Sequence, residues 1–101
     1  MTATTPQEAS RTKLNRETSR IAWKELQRFF ASGAAVAVSH ELDLVEVAFQ
    51  FSRDNKEQVE RWLLAKKVGK VSDEQARIWL EADAMMWAVV VSPWVLVQVA
   101  D

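Results

Sequence analysis

The sequence predicts a small α+β domain, with a mixed, mostly antiparallel sheet of about four strands packed with about four helices. Three features carry that expectation. Helix-start signals of the form Asp/Ser-x-x-Glu/Gln recur at Asp43–Glu46, Asp54–Glu57 and Ser72–Gln75. Short apolar runs bounded by turn residues stand between the stretches those signals open. The whole fits in 101 residues of 49% apolar content, which suits one domain around one core.

Each element follows in chain order. Residues 1–10 (MTATTPQEAS) are small and polar and are expected to form a disordered tail, leaving 11–101 as the single domain. Helical character is expected from near Thr12 and is clear from Ser19. Ala22, Leu26, Phe29 and Phe30 fall on one face at i, i+4, i+7, i+8, bordered by Trp23, and Gly33 suits the C′ position. Ala34–Ser39 reads as a first strand. Residues 43–52 carry two patterns. Val45, Val47, Phe49 and Phe51 alternate as in a strand, whereas Leu44, Val47, Ala48 and Phe51 make a helical face behind an Asp43 cap. A Glu three residues after the cap has a use only in a helix, so helix is preferred.

A further helix is expected after Asp54, with Val59, Trp62 and Leu63 inward and an end near Lys66 and Lys67. Val68–Val71 is a short strand. Ser72 opens the best-formed capping box, with Asp73 and Glu74 in the first turn, where the helix dipole favours acids. Ala76, Trp79, Leu80 and Asp83 share a face, and Arg77 and Glu81 can pair on the outside. Met85–Val91 and Trp94–Val99 read as strands. Proline cannot donate to a ladder, so Ser92-Pro93 is either a hairpin turn or a kink. Both strands are apolar on both sides, which implies helices on both faces or burial in a partner.

Composition excludes several function classes. Without cysteine there is no disulfide framework, thiolate zinc site or cysteine nucleophile. Two glycines cannot build a phosphate-cradling loop. The amino terminus lacks the basic and apolar regions of a secretory signal. The uncharged run Ala84–Ala100 is proline-broken and shorter than the roughly 20 residues of a spanning helix. A soluble, cytoplasmic protein is expected. Net charge is −1, yet residues 1–30 carry +3 and residues 71–101 carry −4, so the two ends are expected to meet in the fold or across a dimer.

Candidate functional residues are few. His40, the only histidine, is followed by Glu41 and Asp43 and could act as a base oriented by a carboxylate. No nucleophile or oxyanion donor accompanies it, so a solvated loop histidine is the preferred reading. Asp83 lies near a helix end that disfavours negative charge. It is expected to pair with Arg16, Arg20 or Lys24, and less readily to serve as a functional acid. Asp73, Glu74, Glu81 and Asp83 are too far apart along a helix to converge on a metal, and no cofactor is expected. Of the five tryptophans, Trp23, Trp62 and Trp79 read as core. Trp87 and Trp94 flank the proline, and one of them could anchor a partner. Arg53, Lys56, Lys66, Lys67 and Lys70 alternate with acids and read as a solvated face rather than a nucleic-acid footprint.

The stretches Leu14–Arg20 (LNRETSR), Trp23–Phe30 (WKELQRFF), Leu42–Ala48 (LDLVEVA) and Val71–Gln98, above all Trp87–Gln98 (WAVVVSPWVLVQ), resemble a bacterial family catalogued as domain of unknown function 2288. The resemblance covers about residues 14–99. It implies a bacterial, cytoplasmic, single-domain protein and carries no activity, substrate or site. Similar sequences are alanine-rich over 43–52, which implies helix there. The expected function is a non-catalytic interaction module for another protein or a second copy, through an apolar, Trp-bearing surface. The alternatives are a Trp-lined small-ligand site and an enzyme built on His40.

Overall fold

Side-chain caps fix where the central helices begin. Asp43 accepts hydrogen bonds from the amides of Val45 and Glu46, and helix α3 (Leu44–Ser52) follows. Asn55, rather than Asp54, caps α4 (Lys56–Leu64) by accepting from Gln58. Ser72 and Gln75 form a reciprocal capping box at the start of α5 (Asp73–Glu81). Residues 43–52 are therefore helical. Glu46 does not complete a box with Asp43, because its carboxylate binds Arg11 instead.

The computed structural model describes residues 6–100. Before α3 come α1 (Pro6–Glu17), β1 (Ser19–Ala22), a 3₁₀ turn (Trp23–Leu26), α2 (Gln27–Ala31) and β2 (Ala35–Val38). After α4 come β3 (Val68–Lys70), α5, β4 (Met85–Val91) and β5 (Trp94–Val99). The described residues thus hold five α-helices and five strands, one of each more than expected. The expected tail is helical over 6–10, and its first five positions lie outside the described residues.

The extra strand is β1, within what the sequence suggested was a continuous helix. Tertiary pairing overrides helical spacing here. The apolar strand β4 needs a second neighbour, and Ser19–Ala22 supplies it antiparallel, with Ile21 opposite Met86. The chain then turns so that the Trp23 amide bonds Ala84 O at 2.9 Å.

The five strands form one sheet in the order β1-β4-β5-β2-β3. Three of its four interfaces are antiparallel, and β2 runs parallel to β5. Ser92-Pro93, joined by a cis bond, is a hairpin loop closed by the Val91–Trp94 pair. The two ends of the chain do meet, through the β1–β4 ladder. None of the ion pairs among the described residues joins them.

Both faces of the sheet carry helices. On the first face, Val36, Val38, Val89 and Leu96 pack with Leu14 of α1 and Leu44, Val47, Ala48 and Phe49 of α3, with Trp62 of α4 alongside. On the second, Ala35, Met86, Ala88, Val95 and Val97 pack with Trp23, Leu26 and Ala76, bordered by Phe29, Phe30 and Trp79. Trp23 is wholly buried, donates from Nε1 to Ala76 O at 3.1 Å, and meets the Trp79 ring edge-on with centroids 5.0 Å apart.

Four helices end the same way. Gly33, Asp54, Lys66 and Asp83 occupy the left-handed region just past α2, α3, α4 and α5. In each case that residue's amide and the next one bond back to the last helical turn, as with Asp83 to Leu80 O and Ala84 to Trp79 O. This is the Schellman arrangement, for which glycine is the strain-free residue.

Candidate functional site

The loop from Ser39 to Asp43 joins β2 to α3 and carries the histidine. Gln98 of β5 pins it by donating from Nε2 to Ser39 O at 2.9 Å and Leu42 O at 2.8 Å. His40 stands exposed at its tip. Neither neighbouring carboxylate is free to orient it. Glu41 pairs with Lys67, whose hydrogen bond and charge hold the Glu41 carboxyl below the usual range, with a smaller contribution from His40. Asp43 is committed to the α3 amides. Among the described residues no polar or charged side chain is buried, so no desolvated acid or base stands ready for proton transfer.

Asp83 corrects an expectation. It is not a half-buried acid on the Trp79 face, because α5 ends at Glu81, two residues earlier, and Asp83 occupies the exposed left-handed C′ position. It takes part in none of the ion pairs among the described residues, with Arg16, Arg20 or Lys24 or otherwise. Leu80 also turns outward, half exposed, leaving Ala76 and Trp79 as the inward face of α5. Among the described residues no cluster of three or more His, Cys, Asp and Glu could hold a metal ion.

The two candidate anchor tryptophans share the first face but not a patch. Trp87 is 42% exposed and sits opposite Arg20 on β1 and Gln98 on β5. Trp94 is half-buried against the first-face core, with the Lys70 ammonium 5.7 Å from its ring centroid. By register Trp94 lies level with Val91, about 13 Å along β4 from Trp87 at ~3.3 Å per residue. Buried Val89 and Leu96 lie between them.

A groove lies elsewhere, on the second face. There α5 stops short of one corner of the sheet and leaves the groove open, at about 630 Å³. Ala37, Gly69 and Val99 form its floor, Gln75 and Trp79 one wall, and His40, Lys66 and Lys67 its rim. Leu63 borders it from α4, and Leu64 beside it exposes 77% of its surface. A β-carbon built on Gly69 would meet nothing within 4 Å, so the backbone of β3 is bare on this side.

Sequence reading did not assemble this groove. Its walls come from four separated stretches that only the strand order brings together. One local signal was present: a three-residue strand with a central glycine, set among Lys66, Lys67 and Lys70, is how edge strands are commonly written.

Among curated proteins, none matches this chain. The chain is similar to PA1075 from Pseudomonas aeruginosa, whose solution NMR structure superposes with a TM-score of 0.79. The two are 44% identical over 97% of this chain and 92% of that one. The family model described as "Protein of unknown function (DUF2288)" matches residues 9–99, the span that contains every strand of the sheet and the whole groove, and the chain belongs to that family.

Proposed function

We propose that this domain is a non-catalytic interaction module that binds another protein in the bacterial cytoplasm. One observation carries the reading. Leu63 and Leu64 on α4, Ile78 and Leu80 on α5, and Val99 on β5 are large apolar side chains left between 38% and 77% exposed, on the elements that surround the groove. Of these, Leu63 and Val99 line the groove itself, and apolar side chains left exposed in a concavity mark an interaction surface. The chemistry around them agrees. The histidine loop holds a single base without an oriented carboxylate, and Glu41 and Asp43 serve structure. The cytoplasmic part of the proposal rests on the absence of cysteine, and no helix of the described residues is long and apolar enough to cross a membrane.

A small-ligand site is the second reading. It is favoured by volume, since about 630 Å³ falls among ligand pockets. Against it, the groove is open and has no buried polar group to orient a small molecule.

Site-specific photo-crosslinking in cells that naturally make the protein tests the proposal. A photoreactive residue placed at Leu64 or Leu80 is expected to capture a discrete protein, and one placed at Lys13 on α1 is not. Equal, diffuse labelling at all three positions would remove the interaction reading.

A further inference from the structure

We propose that β1, at the opposite end of the sheet from the groove, accepts an extended, acidic polypeptide segment as a sixth strand. This surface is separate from the groove, so the inference goes beyond the reading above and does not rest on it. The sheet has two outer strands, β1 and β3. β3 is closed, because its Val68 is 3% exposed and belongs to the core. β1 is open, with Ser19 and Arg20 exposed and Ile21 and Ala22 half-buried. Two bonds fix which of its backbone groups face outward. Trp23 N donates to Ala84 O, and Ala100 N donates to Met85 O, which turns the Met85 backbone toward β5. Ser19 and Ile21 therefore exchange bonds with Ala88 and Met86, and the N–H groups of Arg20 and Ala22 and the carbonyl of Arg20 point away from β4. The Ala22 carbonyl is left to the 3₁₀ turn that follows. Among the described residues no other element bonds to the three outward groups. Two donors with an acceptor between them, at strand spacing, are what strand addition uses.

The two faces of β1 differ. Ile21 lies on the second face and packs with that core, yet stays half-buried because no strand lies beyond it. Arg20 lies on the first face, opposite Trp87, which is 42% exposed. Side chains of an added strand alternate between faces in the same way. Apolar ones would extend the second-face core past Ile21, and charged ones would stand beside Arg20.

Charge selects the occupant. Arg16, Arg20 and Lys24 stand before, on and after β1, and all three are exposed. None of them takes part in an ion pair among the described residues. Of the acids in this stretch, Glu17 is turned to Lys13, which leaves Glu25 alone against the three. Basic residues on an edge repel a strand of like charge. A second copy adding antiparallel along β1 would bring both basic sets onto one short ladder, which disfavours self-pairing. An acidic strand meets complementary charge instead. Single-stranded nucleic acid would satisfy the charge but offers no N–H and C=O ladder to Arg20 and Ala22.

The test uses the whole chain and a fluorescent peptide alternating glutamate with valine, with a lysine–valine peptide and an oligothymidylate as comparisons. Binding is followed by anisotropy and by amide shifts in NMR spectra. The acidic peptide is expected to bind, more weakly as salt rises, with the largest shifts at Arg20, Ile21 and Ala22. Proline at position 20 removes an outward donor and no bond to β4. Arg20→Pro is therefore expected to weaken binding about tenfold relative to Arg20→Ala, which keeps the amide. If Arg20→Pro does not fold, the shift map of the unaltered chain decides. No binding, tighter binding of the lysine peptide or the oligothymidylate, or shifts confined to the groove around Gly69 and Trp79 would each overturn the inference. The crosslinking positions Leu64, Leu80 and Lys13 lie on α4, α5 and α1 and none on β1, so this inference and the groove reading can fail separately.

Discussion

The two faces of this sheet are covered to different depths. The first lies under α1, α3 and α4, and α3 alone buries Leu44, Val47, Ala48 and Phe49. The second lies under a 3₁₀ turn, a five-residue helix and α5, which buries only Ala76. Its centre is as dry as that of the first face, with Met86 and Val97 fully buried. Its margins are not. Val90 is 59% exposed and Val99 38%, and the groove opens beside Val99. One face is built to close the core. The other closes the core with little more than a tryptophan and its neighbours and leaves a margin exposed.

Trp23 is the second face's main closure, and its loss is the largest effect expected. Trp23→Ala removes a fully buried ring, its edge-on contact with Trp79 and its bond to Ala76 O. The expected cost is about 3–5 kcal/mol, a large share of the ~5–15 kcal/mol a domain commonly has. Urea unfolding measures it. A loss below ~1 kcal/mol would mean the second face is held by other contacts, and the comparison would fail.

One substitution made on both faces sharpens the contrast. Threonine is nearly the shape of valine but brings a hydroxyl. Val89→Thr places it under α3, at a site 1% exposed, and is expected to cost about 1–3 kcal/mol. Val99→Thr places it beside the groove and is expected to change stability by less than about 0.5 kcal/mol. Equal costs at the two sites would show that the groove is closed to water.

The same contrast explains what could be read from the sequence. Features set by neighbours in the chain were legible: the Ser72 box, the Asp43 cap, the Gly33 stop and the double-sided apolar character of β4 and β5. Features set by distant pairing were not. Ser19–Ala22 is too short to carry its own strand signal and takes its form from β4. Asp83 fits a helical face by spacing, but the helix ends before it, and no spacing rule gives the sign of φ. The place of β3 at the sheet's end depends on β2 running parallel beside β5, a pairing across 60 residues. The groove inherits that dependence, so Trp79 was legible as core and not as a groove wall.

A smaller effect belongs to the first face. Arg11 of α1 holds Glu46 of α3 through Nε at 2.8 Å, with Gln50 donating to the same carboxylate at 2.9 Å. These bonds, the one from Arg11 foremost, keep the Glu46 carboxyl below its usual value. The folded state therefore binds this proton less readily than the unfolded chain. The resulting stability is fully present above the ordinary glutamate value of about 4.3, and is lost as pH falls through the depressed folded value. Both side chains are 39% exposed, so solvent screening limits the gain to about 1 kcal/mol or less. Between pH 6 and pH 3 the urea midpoint of Glu46→Gln is expected to fall less than that of the unaltered chain. Parallel falls would mean that α1 is not tied to α3 by this pair.

The smallest expected effect separates the faces no further and tests what they share. Each carries two helices that end through a left-handed residue, and glycine holds that place only at α2. Asp83 adopts φ 50° after α5, where a side chain costs roughly 1–2 kcal/mol of conformational energy. Asp83→Gly removes that cost but adds freedom to the unfolded chain, worth roughly 0.5–1 kcal/mol in the opposite direction. The net expectation is a gain of about 0.5 kcal/mol, with Asp83→Asn near neutral because asparagine tolerates the same region. A raised urea midpoint for Asp83→Gly would confirm that the residue is there for its backbone. A loss above ~1 kcal/mol in both variants would mean that the carboxylate has a charged partner after all, and α5 would then be tied down at the end where its thin cover leaves the groove open.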